Sequence, residues 1–207
     1  LSDKLDSLVG FFGINLKPTS SKDPYALRRL AIGLIKTILE NNKDLKLKDL
    51  INYSCQLYNQ QSRNFEIKNV QKDLTEFFNE RLKNYMKEKG IRQDIIESST
   101  SSNNLDNILK IFKKANTLNK FITKELGTDV ISNYKRAFNI LSSELNNKDF
   151  EITGLADPGL FKNDFEKNLY KKIIDIRKDF TSVSREDDYQ GLLESLASAK
   201  KEISDFF

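Results

Sequence analysis

Apolar residues recur at helical spacing along nearly the whole chain. In residues 24–41 they fall at steps of three and four and form one continuous stripe, made of Leu27, Leu30, Ala31, Leu34, Ile35, Ile38 and Leu39. Such a stripe predicts an amphipathic helix with one face against a core. Asp23 and Pro24 predict where it begins, because a carboxylate accepts from free backbone N–H groups and proline suits the first helical position.

The same periodicity predicts further helices in residues 2–12, 47–60, 70–89, 105–121, 130–141, 164–180 and 185–207. Gly90 is placed to close one of them, since glycine readily adopts the left-handed conformation of a helix C-terminus. The serine-rich residues 98–103 predict a loop, and residues 146–163 predict a long connection. We therefore expect an all-α fold, an irregular bundle of seven to nine helices.

Length and composition narrow the class of protein. The chain has 207 residues, of which 38% are apolar and 31% charged, which suits one folded domain with a sizeable core rather than a disordered chain. No apolar run approaches the roughly 18 residues that a membrane span needs, so we expect no membrane partner. The single cysteine, Cys55, cannot form an internal disulfide, and we expect a cytoplasmic protein. The first residue is Leu1 and not an initiator methionine, and residues 2–12 already have the pattern of the middle of a helix, so we expect the chain to be a piece of a longer one.

The chain has no histidine. This removes the commonest general base and the commonest ligand of transition metals, so catalytic triads and histidine-built zinc sites cannot be made by this chain alone. It also has no glycine-rich phosphate loop. We therefore expect no catalytic residue, no metal site and no cofactor in this chain, and we expect Cys55 to pack as a small hydrophobic residue.

The formal charge of +4 is concentrated in one short segment. Residues 17–36 hold five cations against Asp23 alone, namely Lys17, Lys22, Arg28, Arg29 and Lys36. Arg29, Gly33 and Lys36 share one helix face away from the apolar stripe. A glycine inside a helix costs about 1 kcal/mol relative to alanine, so it usually admits a close neighbour, either a helix or a ligand. The face is either a ridge that contacts phosphates or an ordinary solvated surface beside a helix crossing.

Two further positions combine polar groups with aromatic rings. Arg81 lies within the apolar stripe of its helix, where it either pairs with a carboxylate such as Asp94 or edges, together with Tyr85, a groove for an unpaired base. In a later helix we expect Tyr134 to lie in the core. Arg136 and Asn139 point away from that stripe and are candidates for binding.

Five short runs of the sequence resemble a known family. The runs that carry the resemblance are DKLDSLVGFF at residues 3–12, KPTSSKDPYALRR at 17–29, ERLKNY at 80–85 with Gly90, YKRAFNIL at 134–141 and, faintly, DFF at 205–207. They are similar to the beta subunit of the bacterial tetrameric glycyl-tRNA synthetase. Ser20 stands where that family usually has glycine. An HD-type metal site would need histidines, and Asp3, the one plausible remnant, is interpreted as structural.

The resemblance implies a division of the chain into two parts. Residues 1–13 would end an upstream domain that resembles HD phosphohydrolases. Residues 14–207 would form a C-terminal helical domain similar to the anticodon-binding domain of arginyl-tRNA synthetase. This implies binding of tRNA(Gly), at the anticodon arm, by a non-catalytic part of a ligase. Glycine activation with ATP and magnesium would belong to the alpha subunit, the expected protein partner.

An anticodon-binding domain must hold phosphates and read bases. We assign the five cations of residues 17–36 to phosphates, and Arg81, Tyr85, Arg136 and Asn139 to bases. The alternative is a helical protein-interaction module that docks the alpha subunit or another protein, which an exposed apolar patch would favour over a basic groove. A third hypothesis, an independent HD-type hydrolase, is disfavoured by the missing histidines.

Overall fold

The computed structural model describes residues 1–61, 63–101, 106–145, 156–181 and 188–207. Within these ranges the chain is helical and contains no strand, so the all-α prediction is confirmed. The chain divides into two compact units, Leu1–Asn116 and Thr117–Phe207. The similarity to the arginyl-tRNA synthetase domain and the predicted boundary after residue 13 remain predictions.

In the first unit, the first and the fourth helix each pack on several others. Its helices are α1 (Ser2–Gly13), α2 (Leu27–Glu40), α3 (Leu47–Gln60), α4 (Ile67–Glu88) and α5 (Gln93–Thr100), followed by α6 (Ile108–Ile122), which contains the boundary between the units. α1 packs on α2, α3 and α4, and α4 also packs on α2, α3 and α5. The largest fully buried side chains include Leu8, Leu34, Ile35, Leu74 and Phe78.

Cys55 lies in this core, as the sequence predicted. Its side chain is inaccessible to solvent, and burial raises the pKa of the thiol. A buried, protonated thiol is a poor nucleophile, since the thiolate is the reactive form. Cys55 therefore acts as a packing residue.

The beginning of α2 differs from the prediction. Pro24 and Tyr25 form a turn instead of the first helical residues, because Ala26 adopts a left-handed conformation with φ 54° and the Tyr25 ring stacks on Phe11 with 4.3 Å between ring centroids. The helix begins three residues later, at Leu27. The prediction that Asp23 caps the start of this helix is confirmed. Its carboxylate accepts from the backbone N–H groups of Leu27 at 2.8 Å and Arg28 at 3.0 Å.

Other boundaries agree with the prediction only in part, because α4 begins at Ile67 and not at residue 70, residues 125–145 and not 130–141 are helical, and α5 lies where no helix was predicted. Gly90 closes α4 with φ 79°, the expected left-handed conformation. The predicted serine-rich loop begins too early, because residues 98–100 belong to α5, while residues 102–103 lie outside the described ranges. The predicted helix at 185–207 is two helices, α9 (Tyr189–Ala197) and α10 (Lys200–Phe206), with residues 185–187 outside the described ranges. They separate where Ser198 hydrogen-bonds back to the backbone and Ala199 is buried.

The second unit has a small core. It contains α7 (Glu125–Leu145), a 3₁₀ turn (Pro158–Leu160), α8 (Asp164–Thr181), α9 and α10. Both α7 and α8 pack on α9 and α10. The predicted connection at 146–163 is described only from residue 156 onward, where it contains the 3₁₀ turn. Of the helices described in the two units, none is both long and apolar enough to cross a bilayer.

The two hydrogen bonds at the start of α2 predict a measurable contribution to stability. Replacing Asp23 with alanine leaves two backbone N–H groups without their side-chain acceptor, and we expect the free energy of unfolding to fall by about 1–2 kcal/mol. Asp23→Asn keeps one oxygen acceptor and should lose less. Urea unfolding followed by far-ultraviolet circular dichroism measures both variants, and an Asp23→Ala curve that overlays that of the unmodified chain would contradict the assignment.

Candidate nucleic-acid interface

The predicted site residues lie in both compact units. Seven of them belong to the first unit, and Arg136 and Asn139 belong to the second.

α2 separates apolar and charged residues on opposite faces. Leu27, Ala31, Leu34 and Ile35 are at most 1% exposed, and they face the core that α1 and α4 complete. Arg29, Gly33 and Lys36 form a line along the other face, which Glu40 ends in the last turn. Arg29 and Lys36 are exposed, and neither has a hydrogen-bond or ion-pair partner among the described residues. Both cations are therefore available to a ligand.

Gly33 admits a neighbour, as the sequence predicted, and that neighbour is a lysine of α1. A Cβ placed on Gly33 would lie 3.0 Å from Cε of Lys4 and 3.4 Å from its Cδ. The aliphatic stem of Lys4 thus crosses α2 between Arg29 and Lys36, and the ammonium group is one bond beyond Cε. We call Lys4, Arg29 and Lys36 the α2 cation line. The sequence did not predict a role for Lys4, although Gly33 indicated that some neighbour approaches α2 at this point.

The loop before α2 is held by two of the predicted cations. Lys17 pairs with Asp73 of α4. Arg28 donates to the backbone carbonyl of Thr19 and lies 4.0 Å from the Asp23 carboxylate. Lys22 is exposed and has no side-chain partner among the described residues. Lys17 and Arg28 therefore stabilise the loop, whereas Lys22 remains available.

A second cluster of lysines lies between α3 and α4. An open groove of about 300 Å³ is lined by Lys48, Lys68 and Lys72 together with Gln71, Thr75 and Glu76. Gln71 ties the two helices together by donating to the backbone carbonyl of Lys48 at 3.3 Å. Residues 68 and 72 are four apart, so the sequence predicts that both lysines share one helix face. It does not predict that Lys48 of α3 lies beside them.

Arg81 and Tyr85 are packed within the first unit. The side chain of Arg81 is 14% exposed, its guanidinium lies 4.7 Å from the centroid of the Phe77 ring, and it pairs with Glu80 at 3.4 Å. Tyr85 is 9% exposed, and its ring lies against Phe112. Both side chains therefore contribute to packing, and their role in reading bases stays a prediction.

Arg81 pairs with a carboxylate, as one of the two alternatives expected, but that carboxylate belongs to Glu80 and not to Asp94. Asp94 is held instead by the guanidinium of Arg92, which donates to both carboxylate oxygens at 3.1 and 2.6 Å. These hydrogen bonds lower the pKa of the Asp94 carboxyl. The Asp94 carboxylate thus binds Arg92, two residues before it in the chain, while Arg81 pairs with Glu80, the preceding residue of α4.

In the second unit, the expectation that Tyr134 lies in the core is wrong. Tyr134 is 66% exposed and Phe138 is 53% exposed, with 5.9 Å between their ring centroids and 25° between the ring planes. Arg136 donates to the backbone carbonyl of Phe207 at 2.7 Å, and its guanidinium lies over the Phe207 ring. Asn139 is exposed. The tyrosine and phenylalanine are therefore open to solvent, and Arg136 is occupied by the last residue.

The side chains on these surfaces are of kinds that bind ligands. In the parts of the chain that the structure describes, no three histidine, cysteine, aspartate or glutamate side chains are close enough to hold a metal ion. What the surface does offer is unpaired cations on α2 and exposed aromatic rings on α7. Cations attract phosphates, and exposed rings accept flat, unpaired bases.

The chain is similar to glycyl-tRNA synthetase beta subunits. A family model described as glycyl-tRNA synthetase beta subunit matches residues 1–101. Glycine–tRNA ligase beta subunits match all of the chain, at 37% identity over 208 residues in Rickettsia canadensis (strain McKiel) and 39% over 207 residues in Rickettsia peacockii (strain Rustic). That of Cereibacter sphaeroides (strain ATCC 17023) is 31% identical over 207 residues. The chain spans about 29–30% of the length of these relatives.

The packing of Arg81 predicts that this residue contributes to the stability of the fold. Arg81→Ala removes the cation–π contact with Phe77 and the aliphatic stem that fills the surrounding space, so we expect the free energy of unfolding to fall by about 1–3 kcal/mol. Lys87→Ala, at an exposed position of the same helix, is the matched control and should change stability little. Urea unfolding measures both. Unchanged stability together with weaker discrimination between RNA sequences would instead assign Arg81 to base reading.

Proposed function

Because the chain belongs to the glycyl-tRNA synthetase beta subunit family, we propose that it binds tRNA(Gly), at the anticodon arm, as a non-catalytic part of a glycine–tRNA ligase. The observation that carries the proposal is the α2 cation line. Arg29 and Lys36 stand on a helix whose opposite face is buried, Lys4 reaches them from α1, and none of the three has a partner among the described residues.

The α2 cation line provides affinity for the RNA backbone. Lysine and arginine side chains that neutralise phosphates release condensed counterions, so binding weakens as salt increases. Arg29 and Lys36 are seven residues apart, which separates their Cα atoms by about 10 Å along the helix. Lys4 reaches the surface between them, beside Gly33. In the proposed complex Lys22 also contacts the RNA backbone. Lys17 and Arg28 stabilise the loop on which Lys22 lies.

The rest of the enzyme would supply the chemistry. In the proposed assembly the alpha subunit activates glycine with ATP and magnesium, and this chain contributes tRNA binding in the cytoplasm. The net charge of +4 is small, so we expect the chain by itself to bind tRNA weakly.

The alternative function is protein docking. It is favoured by the exposed apolar residues of α7, where Leu141 is 41% exposed and Leu145 is 47% exposed. Helix faces of this kind dock partner proteins as well as other helices of the same chain. Under this alternative, the alpha subunit would bind through α7 and tRNA contact would be incidental.

The proposal predicts a salt-dependent loss of affinity when two cations of the α2 cation line are removed. We expect Arg29→Ala combined with Lys36→Ala to weaken tRNA(Gly) binding about tenfold at low salt. The slope of log K against log salt should decrease in magnitude by about 1.5–2, because each phosphate contact contributes about 0.9. Filter binding across a salt series measures both quantities.

The matched control removes two lysines elsewhere in the same unit. Lys113→Ala combined with Lys114→Ala makes the same change in net charge on α6, where both lysines are exposed. We expect this variant to keep most of the salt slope. Equal losses in the two double variants would show a general charge effect, and an unchanged slope in the α2 variant would contradict the proposal.

A further inference from the structure

The groove between α3 and α4 carries positive charge that the contacts proposed for α2 do not use. Three lysines line it, Lys48 from α3 and Lys68 and Lys72 from α4, and all three are exposed. We call them the lysine groove cluster. Within the part of the chain that the structure describes, their ammonium groups form no ion pair, and Glu76 is the single acidic residue of the lining. The groove therefore holds three cations against one carboxylate.

Two carboxylates near the cluster are held by other groups. Asp73, which follows Lys72 in α4, pairs with Lys17. Asp106 lies at the start of α3, where its carboxylate accepts from the backbone N–H of Lys48 at 2.6 Å and not from the ammonium group. The ammonium groups of the cluster are thus left to solvent or to a ligand.

The stability of the two helices does not explain where these lysines lie. Lys48 is the second residue of α3, and Lys68 is the second residue of α4. The first turn of a helix carries a partial positive charge, so a cation is disfavoured there. The first turn of α4 also contains no acidic residue that would compensate. An anion bound in the groove would offset this repulsion.

The other groups in the groove are poorly suited to reading a base. The side-chain amide of Gln71 donates to the backbone carbonyl of Lys48 at 3.3 Å, and the hydroxyl of Thr75 donates to the carbonyl of Gln71 at 2.6 Å. None of the described lining residues is aromatic, so the groove offers no ring on which a base could stack. What it offers an anion is the charge of the lysines, which suits phosphate.

The shape of the groove favours a chain of phosphates over a small molecule. Sites for small ligands usually enclose about 70–90% of the ligand surface, whereas this groove of about 300 Å³ is open. The Cα atoms of Lys68 and Lys72 are separated by about 6 Å along α4, and Lys48 contributes a charge from the neighbouring helix. Cations from two helices along an open groove can contact successive phosphates of a strand that passes through it.

We propose that Lys48, Lys68 and Lys72 bind phosphates of an RNA backbone, without regard to base sequence, at a second site besides the α2 cation line. The inference rests on the proposed function, which makes RNA the ligand. It extends that function because part of the affinity for tRNA then comes from a groove that cannot distinguish one tRNA from another.

The test is filter binding of the 207-residue chain across a salt series with two probes, tRNA(Gly) and an RNA hairpin of unrelated sequence. Lys68→Gln combined with Lys72→Gln should weaken binding of both probes about 5- to 20-fold at low salt. The slope of log K against log salt should decrease in magnitude by about 1.5–2 for each probe. Lys68→Arg combined with Lys72→Arg keeps both charges and should bind like the unmodified chain.

Lys83→Gln combined with Lys87→Gln is the matched control. It makes the same change in net charge at the same spacing of four residues, farther along the same helix and outside the groove. This variant should keep most of the affinity and of the salt slope, and equal losses in the two glutamine variants would overturn the proposal. Far-ultraviolet circular dichroism checks the folding of each variant, which the loss of exposed charges should leave intact.

A titration with pyrophosphate separates an RNA backbone from a small phosphate compound. Isothermal titration calorimetry of the unmodified chain should show no saturable binding of pyrophosphate. Saturable binding that Lys68→Gln and Lys72→Gln abolish, together with unchanged affinity for both RNA probes, would overturn the proposal, because the groove would then be a site for a small anion.

The remaining outcomes distinguish this inference from the proposed function. If the chain binds the hairpin through Lys68 and Lys72 but binds tRNA(Gly) no more tightly than an unrelated tRNA, the proposed function fails and the groove site stands. If the chain prefers tRNA(Gly) and the glutamine variant of the groove keeps full affinity and slope for both probes, the groove site is overturned and the proposed function stands.

Discussion

The burial of one face of α2 determines where the cations of the first unit stand. Leu27, Leu34 and Ile35 are essentially inaccessible to solvent, and each such side chain contributes about 1.5–3 kcal/mol of burial. Rotating the helix by a quarter turn would expose these residues and bring Arg29 toward the core, where an unpaired charge costs several kcal/mol. The apolar stripe therefore holds Arg29 and Lys36 in solvent without any contact to the cations themselves.

Two small features connect this packing to the proposed interface. Gly33 allows α1 to approach α2 closely enough for the stem of Lys4 to cross it, which adds a third cation to the line. Asp23 accepts from the first backbone N–H groups of α2 and lies near the guanidinium of Arg28, which in turn binds the carbonyl of Thr19. Polar contacts of Asp23 and Arg28 thus connect the start of α2 to the loop that precedes it.

The sequence predicted features that depend on local spacing, and it failed where contacts come from elsewhere in the fold. The α2 stripe, the Asp23 acceptor and the Gly90 conformation follow from residues close together in the chain. Lys4 could not be placed beside Gly33, because that contact joins two helices separated by a loop. Tyr134 shows a different limit, since periodicity reveals which residues share a helix face but not whether another element covers that face.

Lysine footprinting measures whether the α2 cation line contacts tRNA. Amine acetylation of the chain, with and without saturating tRNA(Gly), is read out lysine by lysine by mass spectrometry. If the α2 cation line contacts tRNA, modification of Lys4 and Lys36 slows severalfold in the complex, while Lys113 and Lys114 of α6 react at the same rate as before. Equal reactivity of Lys4 and Lys36 in the free and bound chain would contradict it.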